Sequence, residues 1–349
     1  MRLFSTEQVS KYHPDKYADQ ISDAILTHCL KKDNYAHVAV ETLVKNNTVV
    51  IAGEVSENVM EDYSDIVKGV AKKLNYKVDK IINLIDKQSV EINDAVLRGD
   101  SINAGDQGIM FGYATSETAS YLPFGFDLAN RIIKAIEKDI DTNPNTIFKG
   151  DAKTQVTVDL DKNPDIYSVK SILLSVCHKE EFDLEAVRDY CRKLIETVIG
   201  DFDTSKGEYP ELILNPSGTW NIGGPASDSG LTGRKIVCDQ YGGYCQVGGG
   251  SFSGKDPTKV DRSATYAARK IAVDLVKKYN LKWCKVQLAY VIGEAKPISV
   301  LIENDLGLDL SKYVQDNYDL TPSGIIKFLD LYHLDYATIS SGCHFLYIK

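Results

Sequence analysis

Apolar and polar positions divide the chain into helical and strand-like stretches that alternate irregularly. Pro14 suits a first helical turn. Behind it Tyr17, Ala18, Ile21, Ala24, Ile25, His28 and Cys29 recur at i, i+3, i+4 spacing. This predicts an amphipathic helix with one apolar face and makes His28 a helix-face histidine rather than a catalytic one. His37 to Lys45 then alternates, Asn46-Asn47 can supply the positive φ of a tight turn, and Thr48 to Val55 returns, as a hairpin would. Residues 60–75 and 126–139 read as amphipathic helices, and Arg234 to Gln240 as a short strand. A further helix is predicted from Pro257 to Lys278, with Val260, Ala264, Ala267, Ala268, Ile271, Ala272 and Leu275 inward. Ser89 to Asp106 is polar, glycine-containing and without period, the signature of a functional loop, and a lid over 89–104 is expected. No repeat is visible, Tyr332 to Lys349 has no clear period, and the mixture of patterns predicts an α+β or mixed α/β protein.

Length and composition narrow the class. At roughly 100–200 residues per domain, 349 residues make two or three domains. The net charge of −9 argues against a general nucleic-acid binder, which would carry a basic face. No apolar run reaches the ~18 residues of a membrane span, and Met1 to Pro14 has no signal-peptide pattern. The seven cysteines are odd in number and contain no CxxC; reduced thiols in a cytoplasmic protein are expected, without a zinc site.

Several short motifs carry chemistry. Gly248-Gly249-Gly250-Ser251-Phe252-Ser253-Gly254-Lys255 lets backbone N–H groups approach phosphate oxygens ahead of a helix start. Lys255, Lys259 and Arg262 crowd that start, where cations oppose the helix dipole, which suggests an anion between them. Gly249 to Lys255 copies most of a P-loop, but Asp256 stands where Ser or Thr should bind magnesium and Pro257 follows. A second run, Gly223-Gly224-Pro225 through Asp228, Gly230 and Gly233, leads into Arg234-Lys235 and also suits a polyanion. In His13-Pro14-Asp15-Lys16, Asp15 is either a helix cap or a magnesium ligand. A two-residue turn at Asn46-Asn47 sets Glu41 opposite Ala52 and diagonal to Glu54 on one sheet face, about 7–8 Å apart. Two such carboxylates want cations between them; the alternative is an ordinary polar face. Gly105-Asp106-Gln107-Gly108 and Asp151-Ala152-Lys153 are unremarkable alone.

Taken in order, these pieces resemble the methionine adenosyltransferase (S-adenosylmethionine synthetase) family along nearly the whole chain. The match runs through His13 to Lys16, Ala18 to Ala24, Glu41-Thr42, Gly53-Glu54, Lys87-Gln88-Ser89 and Ala104 to Gly108. It continues through Asp151 to Lys153, Asn215 to Gly218, Ile222 to Pro225, Gly230 to Lys235 and Gly248 to Ala264. The resemblance implies an α+β fold of three similar sheet-and-helix domains around a pseudo-threefold axis, in consecutive segments 1–95, 104–222 and 223–349, with the chain crossing between spatial domains. It implies that methionine sulfur attacks C5′ of ATP, and that the released triphosphate is hydrolysed in the same site.

The same resemblance assigns roles. His13, Lys153, Arg234, Lys235 and Lys255 would be catalytic and hold the phosphates, with Asp151, Trp220, Asp228 and Ser251 completing the ATP site and Trp220 stacking on adenine. Glu54, Gln88, Asp106, Asp228 and Lys259 would hold methionine. Asp15, and with it Asp261, would bind magnesium, and Glu41 potassium. The protein would be a homodimer with shared sites, or a tetramer. Tyr12, Val90, Thr219 and Ser251 depart from the usual Gly, Pro, basic residue and Ala, the 89–106 run looks short, and the tail looks trimmed. A P-loop-like ATPase and a non-catalytic regulatory subunit of the same family are the rival readings.

Overall fold

The computed structural model describes residues 1–88, 97–98 and 101–348. Most of the expected lid over 89–104 lies outside these residues. The predicted hairpin forms as β2 (Val38–Lys45) and β3 (Thr48–Val55), with Lys45 opposite Thr48 and Glu41 opposite Ala52. Asn46 supplies the positive φ, 52°. Val38, Val40, Val44, Val49 and Ile51 are buried on the inner face. This leaves Glu41, Ala52 and Glu54 together on the outer one, since side chains alternate along strands.

Three sheets repeat one plan among the described residues. The first has the order β11 (Gly230–Leu231), β2, β3, β4 (Lys80–Lys87). The second has β1 (Leu3–Val9), β8 (Phe148–Asp159), β9 (Val169–His178), β10 (Glu211–Leu214). The third has β7 (Gly108–Thr115), β12 (Trp283–Tyr290), β13 (Ser299–Asn304). Each is built on an antiparallel hairpin. Ahead of each hairpin comes a long helix, Pro14–Lys32, Phe124–Thr142 or Val260–Tyr279, which packs on the hairpin's first strand and on the edge strand beside it. In the first two sheets a helix then returns the chain to a parallel fourth strand. The expected three similar sheet-and-helix units are therefore present.

Each sheet takes its edge strand from another segment. The N-terminal segment lends β1 to the central sheet, the central segment lends β7 to the C-terminal sheet, and the C-terminal segment lends β11 to the N-terminal sheet. The N- and C-terminal units share one hydrophobic core, while the central unit has its own. β5 (Leu97–Arg98) and β6 (Ser101–Ile102) form a small separate pair.

Two expectations need correction. The first helix is buried almost all round, not along one face: Asp15, Lys16, Asp19, Ser22 and Asp23 are as inaccessible as Ile21 and Ile25. His28 does sit toward solvent, in contact with Glu61. Arg234 to Gln240 is not a strand: after β11 the chain turns into a single helical turn, Ile236–Asp239. That turn carries Asp239 to the buried Lys16 ammonium, 2.5 Å away, and tertiary ion pairing overrides the apolar stretch's local preference.

Candidate active site

Asp15, Asp19 and Asp23 recur every fourth residue and so share one face of the first helix. Each accepts a backbone N–H from a glycine-rich run of the C-terminal segment. Leu231 N–H reaches Asp15 at 2.9 Å, Gly233 N–H reaches Asp19 at 2.8 Å, and Gly254 N–H reaches Asp23 at 2.8 Å. Each also has a cation. Lys235 lies 2.5 Å and Arg234 3.4 Å from Asp15, Lys16 lies 3.0 Å from Asp19, and Arg262 grips Asp23 with two bonds of 2.7 Å. Buried carboxylates are tolerated only when matched in this way. Reading by motif missed this ladder, although its signal, aspartates at i, i+4 and i+8 along one helix, is in the sequence.

At the top of the ladder, His13 caps the helix and its Nδ1 accepts the Asp15 N–H at 3.1 Å. Burial pushes its pKa down to about 3, and the nearby Lys235 and Lys153 charges push the same way. The imidazole is neutral at physiological pH. Burial works against the Asp15 charge, but the Lys235 hydrogen bond and the Leu231 N–H outweigh it and hold the carboxyl below its ordinary range.

The second glycine-rich run closes against the first. A Cβ on Gly233 would lie 2.5 Å from Ser251 Cβ, and one on Gly250 would lie 2.0 Å from Asp261 Cγ. Only glycine lets the backbone fold this tightly over the carboxylate. Asp261 also stands 2.6 Å from Lys255 Nζ and next to Gly108 of the Gly105–Gly108 turn. The helix itself starts at Val260. The expected anion between Lys255, Lys259 and Arg262 is replaced here by protein carboxylates: Asp261 for Lys255, Asp256 for Lys259, and Asp23 for Arg262. Arg262 is fully buried and unavailable to a ligand. The P-loop likeness also fails, because Asp256 is buried and accepts the Val38 N–H at 2.7 Å.

Lys255 bridges Ala39, which faces Glu54 in β3, which in turn faces Asp86 in β4. Paired residues share a face, so Lys255, Glu54 and Asp86 stand in one row across the sheet, with Glu41 one row along. Gln88 continues the edge through its N–H to Val55 O, 2.9 Å. Asp106 and Asp228 are exposed and accept only their neighbours' N–H groups among the described residues. Lys153 is exposed on β8, opposite Val9 and Ser175. Trp220 anchors its indole N–H on Ile222 O at 2.7 Å and leaves part of its ring accessible.

Asp151 is 5% exposed. Its Oδ2 accepts the Gly224 N–H at 2.8 Å, while Oδ1 has no partner. Burial raises this carboxyl to about 6, against the Gly224 N–H and the Lys153 charge. It lines a cavity of about 640 Å³ between the N-terminal and central units, with Tyr12, Tyr76 and Cys177. The unusual Tyr12 lays its ring on Gly150, whose φ of 117° brings the backbone close, and donates to Asp141 at 3.2 Å.

No group of three or more His, Cys, Asp or Glu poised for a metal occurs among the described residues, and no helix there is long and apolar enough to cross a membrane. Three family models match the chain: the N-terminal domain of S-adenosylmethionine synthetase over residues 1–99, the central domain over 101–220 and the C-terminal domain over 222–347. The S-adenosylmethionine synthase of Mycoplasmopsis synoviae is 43% identical over 99% of this chain and 92% of its own length. That of Helicobacter pylori is 40% identical over 98% and 92%, and that of Prochlorococcus marinus 39% over 95% and 88%.

Proposed function

The chain belongs to the S-adenosylmethionine synthetase family, and from that premise we propose how its own residues carry the family's reaction. It is a methionine adenosyltransferase: the methionine sulfur attacks C5′ of ATP, giving S-adenosylmethionine and triphosphate, which is then hydrolysed to phosphate and diphosphate. The sulfur is already nucleophilic, so no base is required. The barrier lies in expelling a highly charged leaving group, and preorganised cations aimed at it are the expected catalyst.

One observation supports this reading above the others. The Asp15–Lys235–Arg234 cluster and the Lys255–Asp261 pair are fastened by the same helix ladder and meet where Gly233 touches Ser251. Arriving phosphates exchange places with the carboxylates, and Lys235, Arg234 and Lys255 turn from Asp15 and Asp261 to the triphosphate. Neutral His13, whose Nδ1 accepts the Asp15 N–H, has Nε2–H left to donate a hydrogen bond without adding charge, and Lys153 completes the cradle. Trp220 covers the adenine, Asp151 and Asp228 receive ribose or ammonium protons, and Ser251 borders the phosphates. Glu54, Gln88, Asp106 and Lys259 hold methionine, Glu54 at its ammonium.

The family is generally metal-dependent. Magnesium takes few protein ligands, commonly one or two carboxylates plus phosphate oxygens and water, so Asp15, with Asp261 as a second carboxylate, would hold the ion at the triphosphate. When bound, the ion supplies further positive charge to the leaving group. Glu41, exposed on the outer sheet face, fits one ligand of a potassium ion. The enzyme is proposed to act in the cytoplasm as a homodimer with shared sites, or a tetramer, its three units around a pseudo-threefold axis. Mass spectrometry of ATP and methionine incubated with the pure protein tests the reaction: S-adenosylmethionine with phosphate and diphosphate is expected, and hydrolysis of ATP alone would overturn it.

A further inference from the structure

Behind the ladder a second layer of polar groups joins the two glycine-rich runs through the C-terminal tail. Arg262, the partner of Asp23, donates from Nε to the Tyr266 hydroxyl at 3.1 Å. That hydroxyl lies 2.6 Å from His344 Nδ1. A guanidinium only donates, so the Tyr266 oxygen accepts from Arg262, and His344 Nδ1 is the acceptor within reach of its proton, which assigns that proton to the His344 contact. The neutral imidazole therefore carries its own proton on Nε2. Nε2 has no hydrogen-bond partner and faces Asp239 Oδ1 at 3.8 Å. Asp239 in turn holds Lys16, which holds Asp19, the acceptor of Gly233 N–H. One continuous sequence of contacts thus runs from Gly254 through Asp23, Arg262, Tyr266 and His344 to Asp239, Lys16, Asp19 and Gly233.

The imidazole also touches the Gly248–Lys255 run directly, its ring centre 5.1 Å from that of Phe252. On either side of it Cys343 Sγ sits 3.2 Å from Gln240 O, and Phe345 stacks on Tyr241 at 4.7 Å. His344 is fully buried. It packs against Phe252 of the Gly248–Lys255 run and faces Asp239, in the helical turn that follows Lys235.

We propose that His344 is a positioning residue for adenosyl transfer: through Tyr266 and Arg262 on one side and Asp239 and Lys16 on the other, it sets the spacing between the run that carries Lys235 and the run that carries Lys255. The proposal rests on the phosphate-cradle reading of those two lysines. Both runs are fastened to carboxylates of the first helix by N–H bonds, so a shift of the groups behind those carboxylates reaches the lysines without touching substrate.

His344→Leu removes the acceptor of the Tyr266 proton, His344→Asn returns an acceptor near Nδ1, and Tyr266→Phe removes the same bond from its other end. Steady-state kinetics normalised to folded protein, with Lys255→Met in parallel, separates the cases. His344→Leu is expected to lower kcat roughly tenfold, the size of such network couplings, to raise the KM for ATP, and to leave the KM for methionine nearly unchanged. His344→Asn is expected to recover most of the loss. If His344→Leu does not fold, Tyr266→Phe is expected to show the same ATP-selective pattern. Unchanged kinetics in the folded variants, with only a lower melting temperature, would overturn the proposal, as would a folded His344→Asn as impaired as His344→Leu. Such results beside an impaired Lys255→Met leave the cradle reading standing, whereas an unimpaired Lys255→Met removes both.

Discussion

The buried face of the first helix and the open face of the β2–β3 hairpin hold their carboxylates in opposite states. On the helix, Asp19 and Asp23 are inaccessible, and each is matched by a cation and a backbone N–H. On the hairpin, Glu41 and Glu54 reach solvent and stand in rows with few partners. The first arrangement is finished before any ligand arrives and holds the glycine-rich runs in place. The second is open to substrate and ion. Asp15 belongs to both: it is fully buried, yet its partners Arg234 and Lys235 are themselves partly accessible.

The contrast is sharpest if a buried partner is removed. Asp23→Ala leaves the Arg262 guanidinium uncompensated in the core, and breaking such a pair costs about 3–5 kcal/mol. Denaturant unfolding should show that loss or an unfolded product, whereas Glu41→Ala should change stability by less than about 0.5 kcal/mol. Equal stabilities would erase the distinction. Lys255→Met tests the border between the two regions. It should cost a factor of ~10²–10³ in turnover while the melting temperature moves little, because the Asp261 pair is partly solvated.

Asp151 gives a pH signature of its own. Its folded pKa, raised by burial to about 6, exceeds the unfolded value near 3.9. The native state therefore binds more protons over that window, and this carboxyl makes stability fall as pH rises through it. His13 acts oppositely: its lowered pKa makes stability fall as pH drops below about 6.5. Asp151→Asn should remove the first slope and expose the second. Melting temperatures from pH 4.5 to 7 should then rise more steeply with pH than in the wild type, with a gain of about 3 kcal/mol near neutrality. An unchanged profile would mean that Asp151 ionises normally.

The smallest effects separate the two hairpin glutamates. Glu41→Val should make the rate largely insensitive to potassium and leave methionine binding mostly intact. Glu54→Gln should raise the methionine requirement several-fold and keep the potassium dependence, and initial rates across both titrations measure this. Identical defects would remove the division of labour while leaving their shared face, fixed by the strand register, in place.

By itself the sequence determined the locally encoded features. The Pro14 helix start, the Asn46-Asn47 turn, the register that puts Glu41 and Glu54 on one face, and the glycine-rich runs all follow from constraints spanning a few residues. The long family likeness supplied the three-unit α+β architecture and the reaction. Tertiary structure decided what depends on partners far along the chain. Period alone read the first helix as one-sided, because Asp15, Asp19 and Asp23 count as solvent-facing until Leu231, Gly233 and Gly254 bring N–H groups to them from more than 200 residues away. The apolar stretch after Arg234 looked like a strand until Lys16 required Asp239 beside it. The exchange of edge strands among the three sheets was equally hidden, since β1, β7 and β11 satisfy their hydrogen bonds only against strands of other segments. A buried charge or an open strand edge is too costly to leave unmatched, and no local pattern says which distant group will match it.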